Sequence, residues 1–536
     1  MDELLTDSRI LPSIDELGLT DSNIVQVNCQ RSINVSTDSA LALTDNFNAG
    51  VQDFQFSVSG QQRWSPQRSY FRADVELRVD GAATAGPVVL RQPLATDGIS
   101  FAEDFMNCLY SNAYCYAGNV NISSLSQYVS VASMVRYRLS KSQQWLESIG
   151  KSVFFLDPDL DSRIATVASD PSTTVRSAAE LGFVDTNTVA IPAADPMVAT
   201  FAVGVVPDCT LLWRAGDLFA YTDDAGLRQQ YVVASSTATT VTSIAIGANC
   251  GVWAVKVIPA ANIIRGREST STLSPADGKN RIQINFQPPL GIFSTSSVMA
   301  AGSYKISLMP KNDKQSAIQN KNASSTLRWS IGVHSVYFFC SIFRDNKAFD
   351  NGTYYLSLDE CNIQNKTASS GASQTSHNFT VPSSTLGLAV VAQATSAGAA
   401  GSSTVPPSVF KALDGSAADL QNLQLSFANT TKPLQNYDSA QTATAQRLSQ
   451  RYYDTMTNAD LELSSGESFA DWLTRGGLYY FSWVRPADDR STELQLQASW
   501  GAIAGSNQVF LISIYRKLVQ IEVSNGYVSS VVSLSM

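Results

Sequence analysis

The sequence contains few histidines and few charged residues, and both shortages limit the functions that it could have. Only two of the 536 residues are histidine, His334 and His377, and charged residues make up 15%, against a usual share of about 25%. A Ser-His-acid triad needs a positioned histidine base, and the chain has no Gly-x-Ser-x-Gly nucleophile elbow. We therefore assign no catalytic residue and expect the chain not to be an enzyme.

Runs of basic residues are also missing, and the net charge is −9. An acidic chain repels phosphate backbones, so we expect no sequence-specific binding of nucleic acid. One local group of arginines lies among aromatic residues, but Asp74 and Glu76 share its strand face and favour mutual ion pairing. These arginines are Arg63, Arg68, Arg72 and Arg78.

No apolar run is long enough to cross a bilayer. The longest, at 386–392, ends at Gln393, far short of the ~20 residues that a transmembrane helix needs. The first ten residues, MDELLTDSRI, have neither the basic nor the apolar region of a secretory signal. The sequence therefore predicts neither a signal peptide nor a membrane span.

Cysteine spacing and short motifs provide no metal or cofactor site. The seven cysteines, from Cys29 to Cys361, form no Cys-x-x-Cys pair, which favours buried free thiols over a disulfide framework or a zinc site. Asp157, Asp159 and Asp161 match the first part of a calcium loop. That loop also needs a glycine at position 6 and a glutamate at position 12, and the chain has Ser162 and Ala168 there.

A phosphate-binding loop is excluded in the same way. Gly150-Lys151-Ser152 matches the end of such a loop, but Trp145 stands where its first glycine is required. We therefore assign no metal-binding residue, no cofactor-binding residue and no cofactor.

Alternating apolar residues are abundant, and they predict long strands in two blocks. Between Phe71 and Val79, every second residue is apolar and the others are charged, and Asp80-Gly81 then marks a turn. The same period of two recurs before and after a long interruption. The segments that show it are 54–58, 282–286, 304–308, 327–342, 354–358, 423–427, 478–484, 494–500, 509–514 and 519–523.

Helical spacing interrupts the strands in a few places. Ser100 and Glu103 fit a capping box at the start of the predicted helix at 101–109. The predicted helix at 125–149 ends at Gly150, and the one at 469–475 ends at Gly476-Gly477, as expected of glycines that follow a helix. The predicted helices are 101–109, 125–149, 440–456 and 469–475.

Residues 151–278 differ in texture and predict a loop insertion. They contain short strands separated by turn signals over about 195–264, which favours a small β-barrel module. Its own apolar residues are sufficient for a separate core. They are Phe201, Val203, Leu211, Trp213, Phe219, Tyr221, Val232, Ile244, Val252 and Trp253.

Several segments together resemble a known family. NRIQINFQPPLGIF at 280–293 precedes GSYKISLMP at 302–310, and the end of the chain contains GGLYYFSWVRP, STELQLQASWGA and NQVFLISIY. This order resembles double jelly-roll major capsid proteins of the polinton-like virus, virophage and adintovirus type. The resemblance covers about 50–150 and 280–536 and rests on segment order and strand texture, and the insertion matches nothing in it.

The resemblance implies an all-β fold of two eight-stranded jelly rolls that stand side by side. We expect an N-terminal arm at 1–45, a first jelly roll at 46–347 that includes the insertion, and a second jelly roll at 348–536. The arm lacks a sustained period, so we expect it to contact neighbouring subunits rather than its own core.

The implied function is that of a major capsid protein, located in the virion and assembled inside the infected host cell. Such proteins form homotrimers with a pseudo-hexagonal outline, and these capsomers tile an icosahedral shell around a DNA genome. The expected partners are neighbouring capsomers, penton proteins and other minor capsid proteins. The insertion, exposed on the exterior, would offer a surface for a host receptor.

The alternative is a secreted β-sandwich protein that binds or cleaves glycans. Seven Asn-x-Ser/Thr triplets would be glycan acceptors in a secreted protein, but a chain rich in these residues produces them by chance. The missing signal peptide, and the lack of a Pro/Gly/Ser-rich tether near 345–352, favour the capsid protein. The triplets begin at Asn34, Asn121, Asn322, Asn351, Asn365, Asn378 and Asn429.

Overall fold

The computed structural model of the chain is built almost entirely of β-strands. It describes residues 9–17, 22–28, 51–80, 90–91, 98–142, 145, 150, 188–191, 197–201, 209–213, 218–222, 228–245, 256–259, 263–265, 282–311, 317–320, 329–344, 349–369, 372–394, 420–427, 430–432, 452–457, 468–469, 472, 478–483, 493–500 and 507–534. Within these ranges, no helix is long and apolar enough to cross a membrane.

The strands fall into a first block, an inserted block and a second block. The first block contains β1 (Arg9–Ile10), β2 (Ser22–Asn28), β3 (Gln52–Val58), β4 (Gln62–Asp80), β5 (Leu90–Arg91), β6 (Ile99–Phe101), β7 (Tyr110–Ala117) and β8 (Val120–Ser126). The inserted block contains β9 (Thr188–Ile191), β10 (Met197–Phe201), β11 (Leu218–Thr222), β12 (Arg228–Ser236), β13 (Thr240–Ala245), β14 (Lys256–Pro259) and β15 (Ile263–Arg265).

The chain then returns to the first block before it enters the second. The returning strands are β16 (Ile282–Phe286), β17 (Gly302–Pro310), β18 (Ile318–Asn320) and β19 (Trp329–Arg344). The second block contains β20 (Gly352–Ala368), β21 (Gln374–Thr380), β22 (Thr385–Ala394), β23 (Leu420–Phe427), β24 (Thr430–Lys432), β25 (Leu478–Ser482), β26 (Glu493–Trp500), β27 (Asn507–Ser524) and β28 (Tyr527–Leu534). The named helices are α1 (Ile14–Leu17), α2 (Phe105–Cys108), α3 (Val129–Arg138) and α4 (Cys209–Leu212), with a 3₁₀ turn at Gly291–Phe293.

The first unit consists of two four-stranded antiparallel sheets packed face to face. One sheet has the order β16-β4-β19-β2, with β5 added to β4, and the other has the order β3-β17-β7-β8. In chain order, the eight strands of this unit are β2, β3, β4, β7, β8, β16, β17 and β19. If they are numbered 1 to 8 in that order, the two sheets have the strand orders 6-3-8-1 and 2-7-4-5. This is the wiring of a jelly roll, in which two Greek keys close a sandwich.

The second unit repeats this wiring. Its sheets have the orders β20-β27-β22-β25 and β21-β26-β23-β24, which is 1-8-3-6 and 2-7-4-5 when its strands are numbered in the same way. The predicted fold class, an all-β double jelly roll, is therefore confirmed. A tight hairpin at Asn525-Gly526 joins β27 to β28, and both residues have positive φ, 54° and 80°, as a type I′ turn requires.

Both jelly rolls carry a long connection at the same place. This connection joins the fifth strand of each unit to the sixth. In the first unit it runs from β8 to β16 over 127–281 and contains α3 and the insertion, and in the second it runs from β24 to β25 over 433–477 and contains the helical residues 452–457. Because the principal strands alternate in direction, it leaves from the same end of the unit as the connection between the third and fourth strands. Long connections are tolerated there because the strand pairs do not depend on their length.

Alternating burial produces the core of each sandwich. In β3 the pattern alternates from Gln52 to Val58, so that Phe54 and Phe56 face inward. Phe54 packs edge-on to Phe71 of the opposite sheet, with ring centroids 5.0 Å apart, and Trp64 lies 4.9 Å from Tyr304. The buried side chains of both jelly rolls form one continuous apolar cluster.

The inserted block forms a separate module. Its seven strands make an antiparallel sheet with the order β14-β9-β10-β13-β12-β11-β15, which begins at Thr188, before the predicted boundary at 195. Phe201, Trp213 and Phe219 are buried against one another, with centroids 5.5 to 6.4 Å apart. These residues are absent from the main cluster, so the module has a core of its own; the other predicted core side chains lie outside the described ones.

The described part of the expected arm does not behave as an arm. β2 is the first strand of the first jelly roll and pairs with β19 from Ser22 to Asn28. Upstream, β1 pairs in parallel with β20, and Leu11 and Ile14 are buried with relative exposures of 2% and 6%. The expectation that this segment contacts neighbours rather than its own core is therefore wrong for 9–17 and 22–28, because backbone pairing with distant strands orders them without a local period.

The helix predictions were partly wrong as well. Ser100 lies in β6 and does not cap a helix. The short helix α2 begins after Asp104, and the backbone of Asp104 is in the left-handed conformation with φ 55°. The segment predicted as one helix over 125–149 contains the end of β8 and then α3. In the module, 209–212 is helical where a strand was expected at 210–213. In each case tertiary packing outweighs a short apolar pattern.

Candidate functional site

The two histidines are far apart in the fold and give no catalytic pair. The His334 backbone lies in β19 of the first jelly roll, and its side chain is outside the described ones. His377 lies on β21 of the second jelly roll, where burial and the charge of Lys366 lower its pKa. Among the described residues, no group of three or more histidine, cysteine or acidic side chains could hold a metal ion.

The two loop motifs considered for phosphate and calcium lie outside the described residues. Of the triplet at 150–152 only Gly150 is described, and the aspartates at 157–161 are not. The absence of a site at these positions stays a prediction.

Five of the seven cysteines are described, and all five are buried thiols, as expected. Burial raises the pKa of Cys108 to about 12 and that of Cys361 to about 11. Thiols with raised pKa values form little thiolate and are poor nucleophiles at neutral pH. Cys29 and Cys250 lie outside the described residues.

The arginine group serves the structure rather than a ligand where its side chains are described. Arg63 is buried, its guanidinium carbon lies 4.3 Å from the ring centroid of Phe349, and it donates to the Gln62 carbonyl at 2.8 Å. Phe349 belongs to the link between the jelly rolls, so this contact fixes their junction. Arg68 lies over Phe343. The side chains of Asp74 and Glu76 are outside the described ones, so their expected ion pairing with these arginines stays a prediction.

The two jelly rolls pack directly against each other at their junction, which we call the seam. A Cβ atom at Gly291 would lie 2.8 Å from the carbonyl oxygen of Asp359 and 2.9 Å from a carboxyl oxygen of Glu360. Tyr128 meets Phe510 edge-on at 5.1 Å. Only glycine fits at this approach, so the 3₁₀ turn of the first unit rests directly on β20 of the second.

Glu360 is buried in the seam with a relative exposure of 1%. Its carboxyl group faces the Ser123 hydroxyl and the backbone of Gly291. Burial raises its pKa, while the hydrogen bond with Ser123, the charges of Lys517 and Arg136 and the Gly291 backbone act in the opposite direction. We therefore expect the seam to be sensitive to pH. The predicted strand at 354–358 ends two residues before Glu360, so only the tertiary structure placed this residue in β20 and in the seam.

A second buried acid joins α2 to α3. Asn107 donates to Asp104 at 2.8 Å and to the hydroxyl of Ser133 at 3.0 Å. Burial raises the pKa of Asp104 well above its ordinary value. Sequence reasoning missed this polar cluster, because its three residues have no pattern in common.

A cleft opens beside α3, on the first unit. Its volume is about 220 Å³. Its described lining residues include two cations and no carboxylate, and they are Gln67, Arg136, Tyr137, Ser140, Lys141, Gln287, Pro288, Pro289, Leu290, Phe293 and Ser294. Arg136 also reaches across the seam, where it donates to the Asp359 carbonyl at 3.5 Å.

Exposed apolar side chains mark the edges of the molecule. Ile10 is 77% exposed, and Ile24 and Val25 on the edge strand β2 are 60% and 44% exposed. No charged residue occurs in Ser22–Asn28. Edge strands usually carry charges that prevent strand addition, so this edge is suited to contact with another surface.

The fold defines the chain as a double jelly roll of the kind found in viral capsid proteins. The sequence matches no protein-family model and no curated protein. Among solved structures, a chain of the Sputnik virophage, determined by cryo-EM, is similar with a TM-score of 0.51 and 10% sequence identity, over 99% of this chain and 91% of that one.

Two crystallised or reconstructed capsid proteins are similar at lower scores. The mavirus major capsid protein matches with a TM-score of 0.43 and 8% identity, over 96% of this chain and 90% of that one. The Faustovirus major capsid protein matches with a TM-score of 0.45 and 8% identity, over 96% and 92%. At 10% identity the likeness to the Sputnik virophage chain concerns the fold alone, and it extends over 99% of this chain.

Proposed function

We propose that this chain is the major capsid protein of a virus. It self-assembles as trimeric, pseudo-hexagonal capsomers that tile an icosahedral shell around a DNA genome. The observation that carries the proposal is the pair of identically wired jelly rolls joined over one core, matched along 99% of the chain by the Sputnik virophage structure.

The seam explains how this fold could act as a tile. Because Gly291 packs on β20 and Arg63 packs on Phe349, the two jelly rolls form one rigid body rather than two tethered domains. Three such bodies around a threefold axis would present six similar jelly rolls. Closed cyclic symmetry of this kind satisfies every interface, and the outline approaches a hexagon.

The edges supply candidate contacts between subunits and capsomers. Ile24 and Val25 lie on an uncharged edge strand, and burial of such apolar groups is the main driving force of obligate assembly. Penton proteins and other minor capsid proteins would share these lateral surfaces. The inserted module, with its separate core, would project outward from the first jelly roll and offer a surface to a host receptor.

The glycan-cleaving alternative requires two carboxylates that flank a sugar-binding cleft. The described lining of the cleft beside α3 contains two cations and no carboxylate, which does not favour that chemistry. Our proposal therefore includes no active site, and it places the chain in the virion because of its role in the shell.

The proposal is tested by the mass of the purified chain in solution and by electron microscopy. Light scattering should give three times the 57.7 kDa of one chain, and concentrated samples or virus-like particles should show threefold capsomers in a closed shell. A stable monomer that forms no shell with its co-expressed viral partners, or enzymatic release of sugars from a glycan array, would contradict it.

A further inference from the structure

The cleft beside α3 contains two cations that have no anionic partner. Among the residues that the structure describes, no carboxylate is within ion-pair distance of Arg136 or Lys141. The Lys141 ammonium lies instead over two aromatic rings, 5.4 Å from the centroid of Tyr137 and 5.1 Å from that of Trp145. These rings stack on each other at 5.9 Å, so they hold the ammonium at the cleft.

The two positive charges oppose each other. Burial lowers the pKa of Lys141, and the charge of Arg136 lowers it further. Arg136 has one weak hydrogen bond, to the Asp359 carbonyl, and its Nη1 is enclosed without an acceptor. An anion placed between the two side chains would relieve their repulsion and would form charge-assisted hydrogen bonds, which are the strong ones.

We propose that this cleft binds an acidic side chain, flanked by an apolar residue, from a peptide segment of a partner protein. The lining also has an apolar part, which consists of Pro288, Pro289, Leu290 and Phe293. The volume of about 220 Å³ equals roughly seven water molecules, which suits a carboxylate side chain together with part of its neighbour.

A nucleic-acid backbone fits the cleft less well. Sustained binding of phosphates needs a row of cations along the strand, whereas the described lining of this cleft has two cations. Arg516 of the second unit already forms an ion pair with Asp359. The identity of the donor as a neighbouring shell protein rests on the proposed function. The preference for a carboxylate does not depend on it.

The test uses the full-length chain and two blocked peptides, acetyl-Leu-Glu-Leu-amide and its glutamine analogue. Isothermal titration should detect the glutamate peptide, and both the glutamine peptide and the variant Lys141→Gln should bind about five-fold more weakly, which corresponds to roughly 1 kcal/mol. Lys305→Gln is the matched control, since Lys305 also lies over a ring, 4.6 Å from Tyr116, but outside the cleft. It should leave the affinity unchanged.

A second variant, Ser294→Glu, keeps the proposal testable if Lys141→Gln folds poorly. The carboxylate introduced at position 294 would occupy the cleft and repel the peptide glutamate, so this variant should not bind the glutamate peptide. Unchanged affinity in Ser294→Glu, or no binding that depends on Lys141, would overturn the proposal. Lys141-dependent binding of inorganic phosphate or short oligothymidylate, without binding of the peptide, would overturn it in favour of a phosphate site. A chain that forms shells but fails these titrations loses this proposal alone.

Discussion

The backbone N–H of Gly60 donates a hydrogen bond to the phenolic oxygen of Tyr527 over 3.1 Å, although 467 positions separate the two residues. The next residue, Val528, donates to the Ala301 carbonyl at 2.8 Å. The last strand, β28, therefore pairs with β27 of the second jelly roll and at its beginning also bonds to the first. We call this contact the C-terminal clasp, and it complements the seam at Gly291.

The clasp provides the first prediction. Tyr527→Phe removes the hydroxyl that Gly60 uses, so it should lower the free energy of unfolding by about 1 kcal/mol. Tyr453→Phe is the control, because Tyr453 is 63% exposed and should change stability by less than about 0.5 kcal/mol. Urea denaturation of both variants measures the difference, and equal midpoints would show that the clasp does not contribute.

The second prediction concerns pH. Since burial raises the pKa of Glu360 in the folded chain, its contribution to stability is complete at low pH and is lost as pH rises from about 4.5 through the raised value. Glu360→Gln stays neutral at all pH values, so the variant should gain stability relative to the native chain as pH rises. Subtracting the two pH profiles cancels the similar effect of Asp104.

Asp359→Asn is the control for Glu360→Gln. Its carboxylate is about half exposed and forms an ion pair with Arg516 at 3.5 Å, so the exposed pair contributes little. Thermal unfolding between pH 4 and pH 8 follows both variants. A flat difference profile for Glu360→Gln would mean that the seam does not hold this carboxyl out of water.

The third prediction concerns the N-terminal segment. Leu11→Ala should destabilise the chain by about 2–5 kcal/mol, because it empties a buried position. The adjacent Ile10→Ala should be almost neutral, since Ile10 is 77% exposed. If both variants unfold at the same denaturant concentration as the native chain, the segment does not pack on its own core in solution.

The fourth prediction concerns the module. Trp213→Ala should remove about 3–5 kcal/mol from the module alone, because Trp213 packs on Phe201 and Phe219 outside the main cluster. Hydrogen exchange should then accelerate in 188–265 while the jelly rolls stay protected. Trp64→Ala, in the main cluster, should instead destabilise the first jelly roll. Loss of protection throughout the Trp213 variant would show that the cores are coupled.

The period-two alternation of strands such as β3, β4 and β27 predicted a chain made of long strands in two blocks, and the resemblance in segment order implied that these blocks are two jelly rolls. Alternation is a local property, and each of these strands buries one face, so the printed residues are sufficient to locate them. The buried thiols and the separate core of the module followed from composition and spacing in the same way. The strand β2 was missed, because Ile24 and Val25 are both exposed and give no alternation.

Only the tertiary structure decided which distant residues meet. The pairing of β2 with β19, the approach of Gly291 to Glu360 and the clasp between Gly60 and Tyr527 each join positions far apart in the chain. Such contacts leave no local period, because their free energy comes from burial and hydrogen bonds formed after the strands have assembled. For the same reason Arg136 and Lys141 were not recognised as a charged pair until α3 placed them on one cleft.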